Sequence, residues 1–233
     1  MFAIYLMNNR LKHIAFIMDG NGRWASLRNK TRAYGHRAGT KNLKLVIEEC
    51  DKIGLEVVTF YAFSTENWKR PKEEIDKLFS YIKKFSDEEL NKYSKRNFRT
   101  SFIGDLTALP IDVQESLLKV KEGTKNNTGM IINIALNYGS RIEILKAVNE
   151  LLASSTTNVS EEEFVSHLYT ASLPDPDIIV RTSGEKRLSN FLLYQSAYTE
   201  FIFVDEYWPD FNKQSFHNVI EEYNRRTRRF GSI

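Results

Sequence analysis

A single cysteine, Cys50, in a chain of 233 residues excludes an intramolecular disulfide. With only four scattered histidines, it also excludes any zinc-ligand spacing. Cys50 falls on the apolar side of a helical pattern, so a buried, inert thiol is expected. No apolar run approaches the ~20 residues that a membrane helix needs. The N-terminus, MFAIYLMNNRLK, puts apolar residues before basic ones and has no small-residue cleavage site, the wrong order for a secretory signal. A cytoplasmic protein is expected. Net charge is slight, 33 Lys and Arg against 30 Asp and Glu giving +3, so no nucleic-acid partner is indicated. Neither a P-loop lysine motif nor a nucleophile elbow occurs. Repeats, low-complexity tracts and composition breaks are missing too, and residues 1–233 read as one domain.

One absence is local. From Gly20 to Ile47 there is no Asp or Glu, while Arg23, Arg28, Lys30, Arg32, Arg37, Lys41 and Lys44 all occur. Such a run is usually a solvated basic face. Beside a glycine-rich turn it is better read as a site for a small, highly charged anion.

Six short apolar runs are strand candidates: His13–Met18, Val57–Phe63, Arg99–Gly104, Met130–Leu136, Asp177–Thr182 and Glu200–Val204. Several are apolar without interruption, as in strands buried on both faces of a parallel sheet. Helical spacing lies between them, at Leu43, Val46, Ile47, Cys50 and Ile53 ahead of Gly54, and at Ile75, Leu78, Phe79 and Ile82 after Pro71. Ser140 with Glu143 and Ser160 with Glu163 have capping-box spacing, and a last helix around Gln214–Arg226 buries Phe216, Val219, Ile220 and Tyr223. The fold class is α/β, a mostly parallel six-stranded sheet flanked by helices.

Polar motifs gather after the strands, where open α/β sheets bind ligands. After the first strand, Asp19-Gly20-Asn21-Gly22-Arg23-Trp24 offers a carboxylate suited to Mg²⁺, two glycines that let backbone approach an anion, and a guanidinium fork. After the second, Ser64-Thr65-Glu66-Asn67-Trp68-Lys69-Arg70 mixes hydroxyl, amide, indole and guanidinium groups; Trp68 is expected to cover something apolar, protein or ligand. After the fifth, Arg181 and Arg187 flank a glycine turn, with Ser189 able to donate, a second phosphate site. Glu200 is either a second metal carboxylate or an ion-pair partner. His36 sits inside the acid-free stretch, able to donate to a phosphate or act as an acid, whereas His13, His167 and His217 read as structural.

Together MDGNGRWA, Arg32 with Gly35-His36, FSTENWKRP, IGDLTALP, NIALNYGSR, RTSGEKRLSNFLLYQSAYTEFIF and WPDF closely resemble the cis-prenyltransferases, above all the bacterial undecaprenyl diphosphate synthases. The resemblance spans nearly the whole chain in the family's order. Departures are small: the family commonly has Gly at Ser140 and Ser183, His at Lys186, Trp at Tyr194 and Pro at Thr31. It implies successive condensation of isopentenyl diphosphate onto an allylic diphosphate, farnesyl diphosphate as starter, with new cis double bonds, Mg²⁺ and an apolar product tunnel. By position, Asp19 is the metal-linked catalytic carboxylate and Glu200 the other metal carboxylate. Asn67 is the second catalytic position, as a positioner of substrate while the departing diphosphate takes the proton. Gly20, Asn21, Gly22, Arg23, Arg32 and His36 would hold the allylic diphosphate, with Trp24 a further substrate-binding position. Ser64, Thr65, Glu66, Trp68 and Arg70 would contact substrate from a loop, and Arg181, Arg187, Leu188 and Ser189 would take isopentenyl diphosphate. The resemblance further implies a homodimer, a lipid product passed to the membrane for cell-wall synthesis, and peripheral contact with the inner membrane face.

Other chemistries fit less well. An aspartyl-phosphate hydrolase needs a second acid two residues after Asp19, where Asn21 stands. A trans-type prenyl synthase needs DDxxD, which Asp175-Pro176-Asp177 does not supply. An inactive partner subunit would have lost Asp19 or the arginines, and all are present. Ala62, the smallest side chain of the second strand, makes either a tight helix contact or a tunnel lining. The basic run Arg225–Gly231 is a solvated helix end or a contact for diphosphate or anionic lipid.

Overall fold

The computed structural model describes residues 11–154 and 158–226. All six apolar runs form strands: β1 (His13–Ile17), β2 (Val57–Ser64), β3 (Arg99–Ile103), β4 (Ile131–Tyr138), β5 (Ile178–Arg181) and β6 (Glu200–Phe203). They make one sheet in the order β3-β4-β2-β1-β5-β6, and every pairing is parallel. Seven helices of the described residues connect them: α1 (Asn21–Ser26), α2 (Arg32–Lys52), α3 (Lys72–Lys95), α4 (Ile111–Thr124), α5 (Ser140–Ala153), α6 (Glu161–Ser166) and α7 (Lys213–Arg225).

Alternation along β1 divides the core between the faces of the sheet. Ile14 and Phe16 join the larger cluster, into which α2, α3, α4 and α7 send Val46, Phe79, Leu117 and Phe216. Ala15 and Ile17 face the smaller cluster with Tyr138, Phe191 and Leu192. In β2 the pairing to β4 shifts register between Tyr61 and Ser64, a bulge that bends the strand end. Phe63 then packs in the larger cluster together with Phe60, and Ala62 lies against it. Cys50 is buried, as its helical position indicates.

Helix ends largely follow the local chemistry. Thr31 caps α2 by accepting from the Tyr34 N–H, and Gly54 turns the chain just past its end at φ +72°. Pro71 directly precedes α3, and Ser160 accepts from the Glu163 N–H at the start of α6. Two expectations fail. Asn21–Ser26 is a short helix rather than a plain turn, and Ser140 with Glu143 form no capping box. Ser140 Oγ instead accepts from the Leu193 N–H at 3.0 Å. Glu143, fully buried, accepts from Tyr138 Oη at 2.5 Å, Gln195 Nε2 at 3.1 Å and the Tyr169 N–H at 2.9 Å. A buried carboxylate needs such partners, and tertiary demand overrides the cap. The basic C-terminal run lies outside the described residues beyond Arg226, whose guanidinium contacts Glu222 and Glu200.

The three histidines read as structural all have structural partners. His217 meets Glu49 and His167 meets Glu150, each at 3.1 Å. His13 is buried, with Nδ1 2.7 Å from the Pro174 carbonyl and Nε2 2.7 Å from Thr59 Oγ1. Burial pushes its imidazole down to about 4, against the pull of the Pro174 carbonyl and Asp177. The folded state therefore holds His13 neutral where the unfolded chain would already be protonated. Its contribution is complete above the unfolded pKa of about 6.5 and disappears as pH falls towards 4, a loss of about 3 kcal/mol. Urea midpoints measured from pH 7 to pH 4 should fall accordingly, and His13→Gln should flatten that fall. An equally steep fall in the variant contradicts the assignment.

Candidate active site

β1, β2 and β5 lie side by side, and the three polar motifs leave their C-terminal ends together. Gly20 starts the turn after β1 at φ +96°; a Cβ there would stand 2.5 Å from the Tyr207 ring. Glycine is therefore required twice over, by conformation and by space. At Gly35 a Cβ would lie 2.0 Å from the Asn21 carbonyl, so this residue sets how closely α2 approaches α1.

Asp19 is the meeting point. Its Oδ2 accepts from Arg181 Nη2 at 2.8 Å, and its Oδ1 accepts from the Gly20 N–H at 2.6 Å with Arg23 Nη2 at 3.2 Å. Burial opposes ionisation, yet Arg181, the Gly20 N–H and Arg23 hold this carboxyl below the usual carboxylate range. Arg181, the last residue of β5, is only 4% exposed and also donates to Ser189 Oγ at 2.7 Å and to the Arg187 carbonyl. Arg23 donates to Ser183 Oγ at 2.6 Å and pairs with Glu185 at 2.8 Å; Glu185 also holds Arg187. Ser183 adopts φ +75°, a left-handed backbone at one of the positions where the resembling family commonly has glycine.

A second cluster stands on α2 and at the start of α3. Glu74 meets Arg32 Nε and Arg70 Nη1, each at 3.1 Å, and lies 3.4 Å from His36 Nε2. Alignment with His36 is too poor for a hydrogen bond, so this ring nitrogen is buried without a partner. Burial and the charge of Arg70 push the His36 imidazole down to about 4, outweighing Glu74, and the ring is neutral near pH 7.

Both clusters border a cavity of about 720 Å³. Asp19, Asn21, His36, Arg70, Arg181 and Arg187 line its polar end, with Ser64, Glu66, Asn67, Ser189 and Asn190. Leu43, Ala62, Leu78, Ile82, Phe85 and Ile134 line its apolar part. Three buried side-chain atoms among its lining residues have no partner: Asn21 Oδ1, His36 Nε2 and Arg181 Nε. Unsatisfied polar atoms at a cavity wall suit a polar ligand.

Several expected residues sit elsewhere or are engaged. Trp68 covers protein, packing on Phe63 and Phe79 with centroids at 5.2 and 5.5 Å and donating to Asn137 Oδ1. Asn67 Oδ1 accepts from the Ser64 N–H at 3.2 Å, which fixes the loop containing Thr65, while Glu66 accepts from Asn190 at 3.0 Å. Trp24 stacks on Tyr34 at 5.9 Å and donates to Asp210, and Leu188 packs against the smaller core cluster. Gly22 lies against the Arg32 guanidinium. The structure does not bring Glu200 to Asp19. It opens β6 level with Ile178 and Ile14, three strand positions or ~10 Å below the last residue of β1, and it pairs with Arg226 at 2.8 Å. Glu74 and Glu185 were not anticipated. Glu74 resembles any acid in a helix's first turn, and only its spacing of four from Arg70 signals the pair.

An open parallel sheet with arginines and Asp19 at its strand ends, leading into a partly apolar cavity, is an arrangement suited to phosphorylated, largely apolar ligands. A family model described as "Putative undecaprenyl diphosphate synthase" matches residues 17–231. The isoprenyl transferase of Clostridium acetobutylicum is 49% identical, covering 97% of this chain and 91% of its own length. That of Fusobacterium nucleatum is 46% identical, with 95% and 96% covered. Among solved structures, lavandulyl diphosphate synthase from Lavandula x intermedia, in complex with dimethylallyl diphosphate, superposes with a TM-score of 0.92 at 31% identity over 95% of this chain and 98% of its own. A probable undecaprenyl diphosphate synthase from Campylobacter jejuni gives 0.82 at 37% identity over 97% and 100%. The chain belongs to the undecaprenyl diphosphate synthase family, and with it to the cis-prenyltransferases.

The Asp19–Arg181 contact has a consequence for stability. Asp19→Ala strands a buried guanidinium and should cost about 3 kcal/mol, the scale of breaking a buried pair by removing one partner. Asp19→Asn keeps an oxygen for Arg181 and should cost less than half of that. Denaturant midpoints check both, and equal losses in the two variants contradict the pairing.

Proposed function

We propose that the chain, working as one catalytic domain over residues 1–233, condenses isopentenyl diphosphate units onto an allylic diphosphate, with farnesyl diphosphate as starter. A long polyprenyl diphosphate such as undecaprenyl diphosphate would result. The observation that carries this reading is that two clusters, one of Arg181 and Arg187 around Asp19 and one of His36 and Arg70 beside Glu74, border a single cavity with an apolar part. Arg32, His36 and Arg70, with the backbone at Gly20–Arg23, suit the allylic diphosphate. Arg23, Arg181, Arg187 and Ser189 suit the isopentenyl diphosphate.

In each cycle the allylic C–O bond breaks, a C–C bond forms to the terminal alkene carbon C4 of isopentenyl diphosphate, and the cation left at C3 is quenched by loss of a proton from C2, which sets the new C2=C3 double bond. Charge develops on the departing diphosphate, where fixed guanidinium donors stabilise it. The apolar wall excludes water from the allylic cation. Asn67, held by its bond to the Ser64 N–H, presents a neutral carboxamide suited to positioning substrate, and the departing diphosphate is the stronger base. Mg²⁺ suits the donor set: one carboxylate, Asp19, is enough for an ion that takes its remaining ligands from substrate phosphates and water. No group of three or more possible protein ligands occurs among the described residues. When bound, the ion would neutralise diphosphate charge. Glu200, paired with Arg226 at the start of β6, stands apart from Asp19 within the chain.

A homodimer is part of the proposal. Ile142, Leu145, Val148 and Leu152 form an exposed apolar stripe on α5, a face that a second copy would cover. No helix of the described residues is long and apolar enough to cross a membrane. The proposed setting is the cytoplasm, with peripheral delivery of the lipid product at the inner membrane face.

Asp19→Asn separates chemistry from folding. It should lower kcat for condensation at least ~10³-fold, the scale of losing a major electrostatic stabiliser. Near-normal turnover by the folded variant contradicts the proposal. Ala62 packs against the larger core cluster and also lines the cavity with Leu78 and Ile82. As a lining of the product path, Ala62→Leu should obstruct the growing chain. Shorter prenyl diphosphates should accumulate while first condensations proceed, as product analysis by chain length would show. Full-length product from a stable variant contradicts that role.

A further inference from the structure

Glu74 stands in the first turn of α3 with its side chain 12% exposed. Its two oxygens hold two guanidinium groups from separate segments and stand beside a third group, the His36 imidazole. Oε2 meets Arg32 Nε at 3.1 Å, while Oε1 meets Arg70 Nη1 at 3.1 Å and approaches His36 Nε2 at 3.4 Å. Arg32, His36 and Arg70 are the groups that the proposed function reserves for the allylic diphosphate. A carboxylate therefore sits between two guanidinium groups suited to phosphate oxygens, beside a neutral imidazole. Guanidinium forks accept carboxylate and phosphate oxygens alike, so the two anions are direct alternatives there.

Resting on that reading, we infer that Glu74 is a built-in surrogate for the allylic diphosphate, holding its ligands in place until the incoming ligand displaces it. Two features favour displacement over coexistence. The main cavity is lined by His36 and Arg70, and a smaller one of about 220 Å³ by Arg32, His36 and Glu74. Glu74 thus borders free space into which its side chain can swing, while His36 borders both cavities. Retained beside a bound diphosphate, the carboxylate would put like charges on the same donors. A diphosphate brings more charge and more acceptor oxygens than one carboxylate, so it wins the exchange, but at reduced net affinity. The same helix supplies Leu78 and Ile82 to the apolar wall, so release of Glu74 also frees the start of the element that shapes that wall.

A plain positioning role for Glu74 predicts the opposite sign, which makes the test decisive. The probe is farnesyl S-thiolodiphosphate, a slowly ionising allylic analogue, titrated calorimetrically with Mg²⁺ into the full chain without isopentenyl diphosphate. Glu74→Gln should bind it about tenfold tighter than the parent protein, the scale of one charge-assisted contact that no longer has to be broken. The KM for the allylic substrate should fall, with kcat falling or unchanged. Glu74→Asp, which keeps the charge and withdraws it by one methylene, should tighten binding by a smaller factor. It also carries the test should the Gln variant fold poorly. Unchanged or weaker binding in both variants overturns the inference while leaving the transferase reading intact. If Arg32→Gln leaves binding by the parent protein unaltered, Arg32 is not a diphosphate ligand, and the surrogate role falls with that part of the site.

Discussion

The pairing of Asp19 with Arg181 is the constraint around which the site is arranged. β1 and β5 are neighbours in register, with Ile17 opposite Arg181, so the carboxylate just past one strand meets the guanidinium that ends the other. A guanidinium at 4% exposure is tolerable only when its charge is met, and Asp19, Ser189 and the Arg187 carbonyl take its two terminal nitrogens while Nε stays unpaired at the cavity wall. These bonds draw the loop of residues 182–190 over the end of β1. Arg23 and Arg187 then come together through Glu185. Preorganisation of the donors follows from a packing requirement: Arg181 cannot turn away without exposing a buried charge to apolar surroundings.

Charge balance follows a common pattern. Asp19 answers Arg181, Glu185 answers Arg23 and Arg187, and Glu74 answers Arg32 and Arg70. The sequence between Gly20 and Ile47 contains no acid, so Arg23 takes its counter-charges from Asp19, just before that stretch, and from Glu185 after β5, and Arg32 takes its own from Glu74 on α3. Anionic ligands would enter a site whose cations are already held at fixed positions by weaker anions. Fixed donors of this kind favour charge that develops during a reaction over charge already present in solution.

Much of this was legible in the chain itself. The six strands were readable because buried parallel strands are apolar on both faces, and β1 and β5 are buried along their whole length. The motifs carrying Asp19, Arg70, Arg181 and Arg187 could be placed because the strand ends were. The family resemblance was equally readable, and the relatives and solved structures agree with it. What escaped had its cause in contacts between distant segments. Ser140 and Glu143 have capping-box spacing, but Glu143 is claimed by Tyr138, Gln195 and Tyr169. Trp68 could not be assigned between protein and ligand until Phe63 and Phe79 were seen beneath it. Glu200 was left open between a metal carboxylate and an ion-pair partner, and only strand register shows the pair it makes with Arg226.

The most direct test of the account is the product of the parent protein itself, supplied with Mg²⁺, farnesyl diphosphate and labelled isopentenyl diphosphate. The account predicts a ladder of prenyl diphosphates, each one five-carbon unit longer, with every added double bond cis and label in proportion to length. Folded protein that incorporates no label, or that adds its units with trans double bonds, would contradict it.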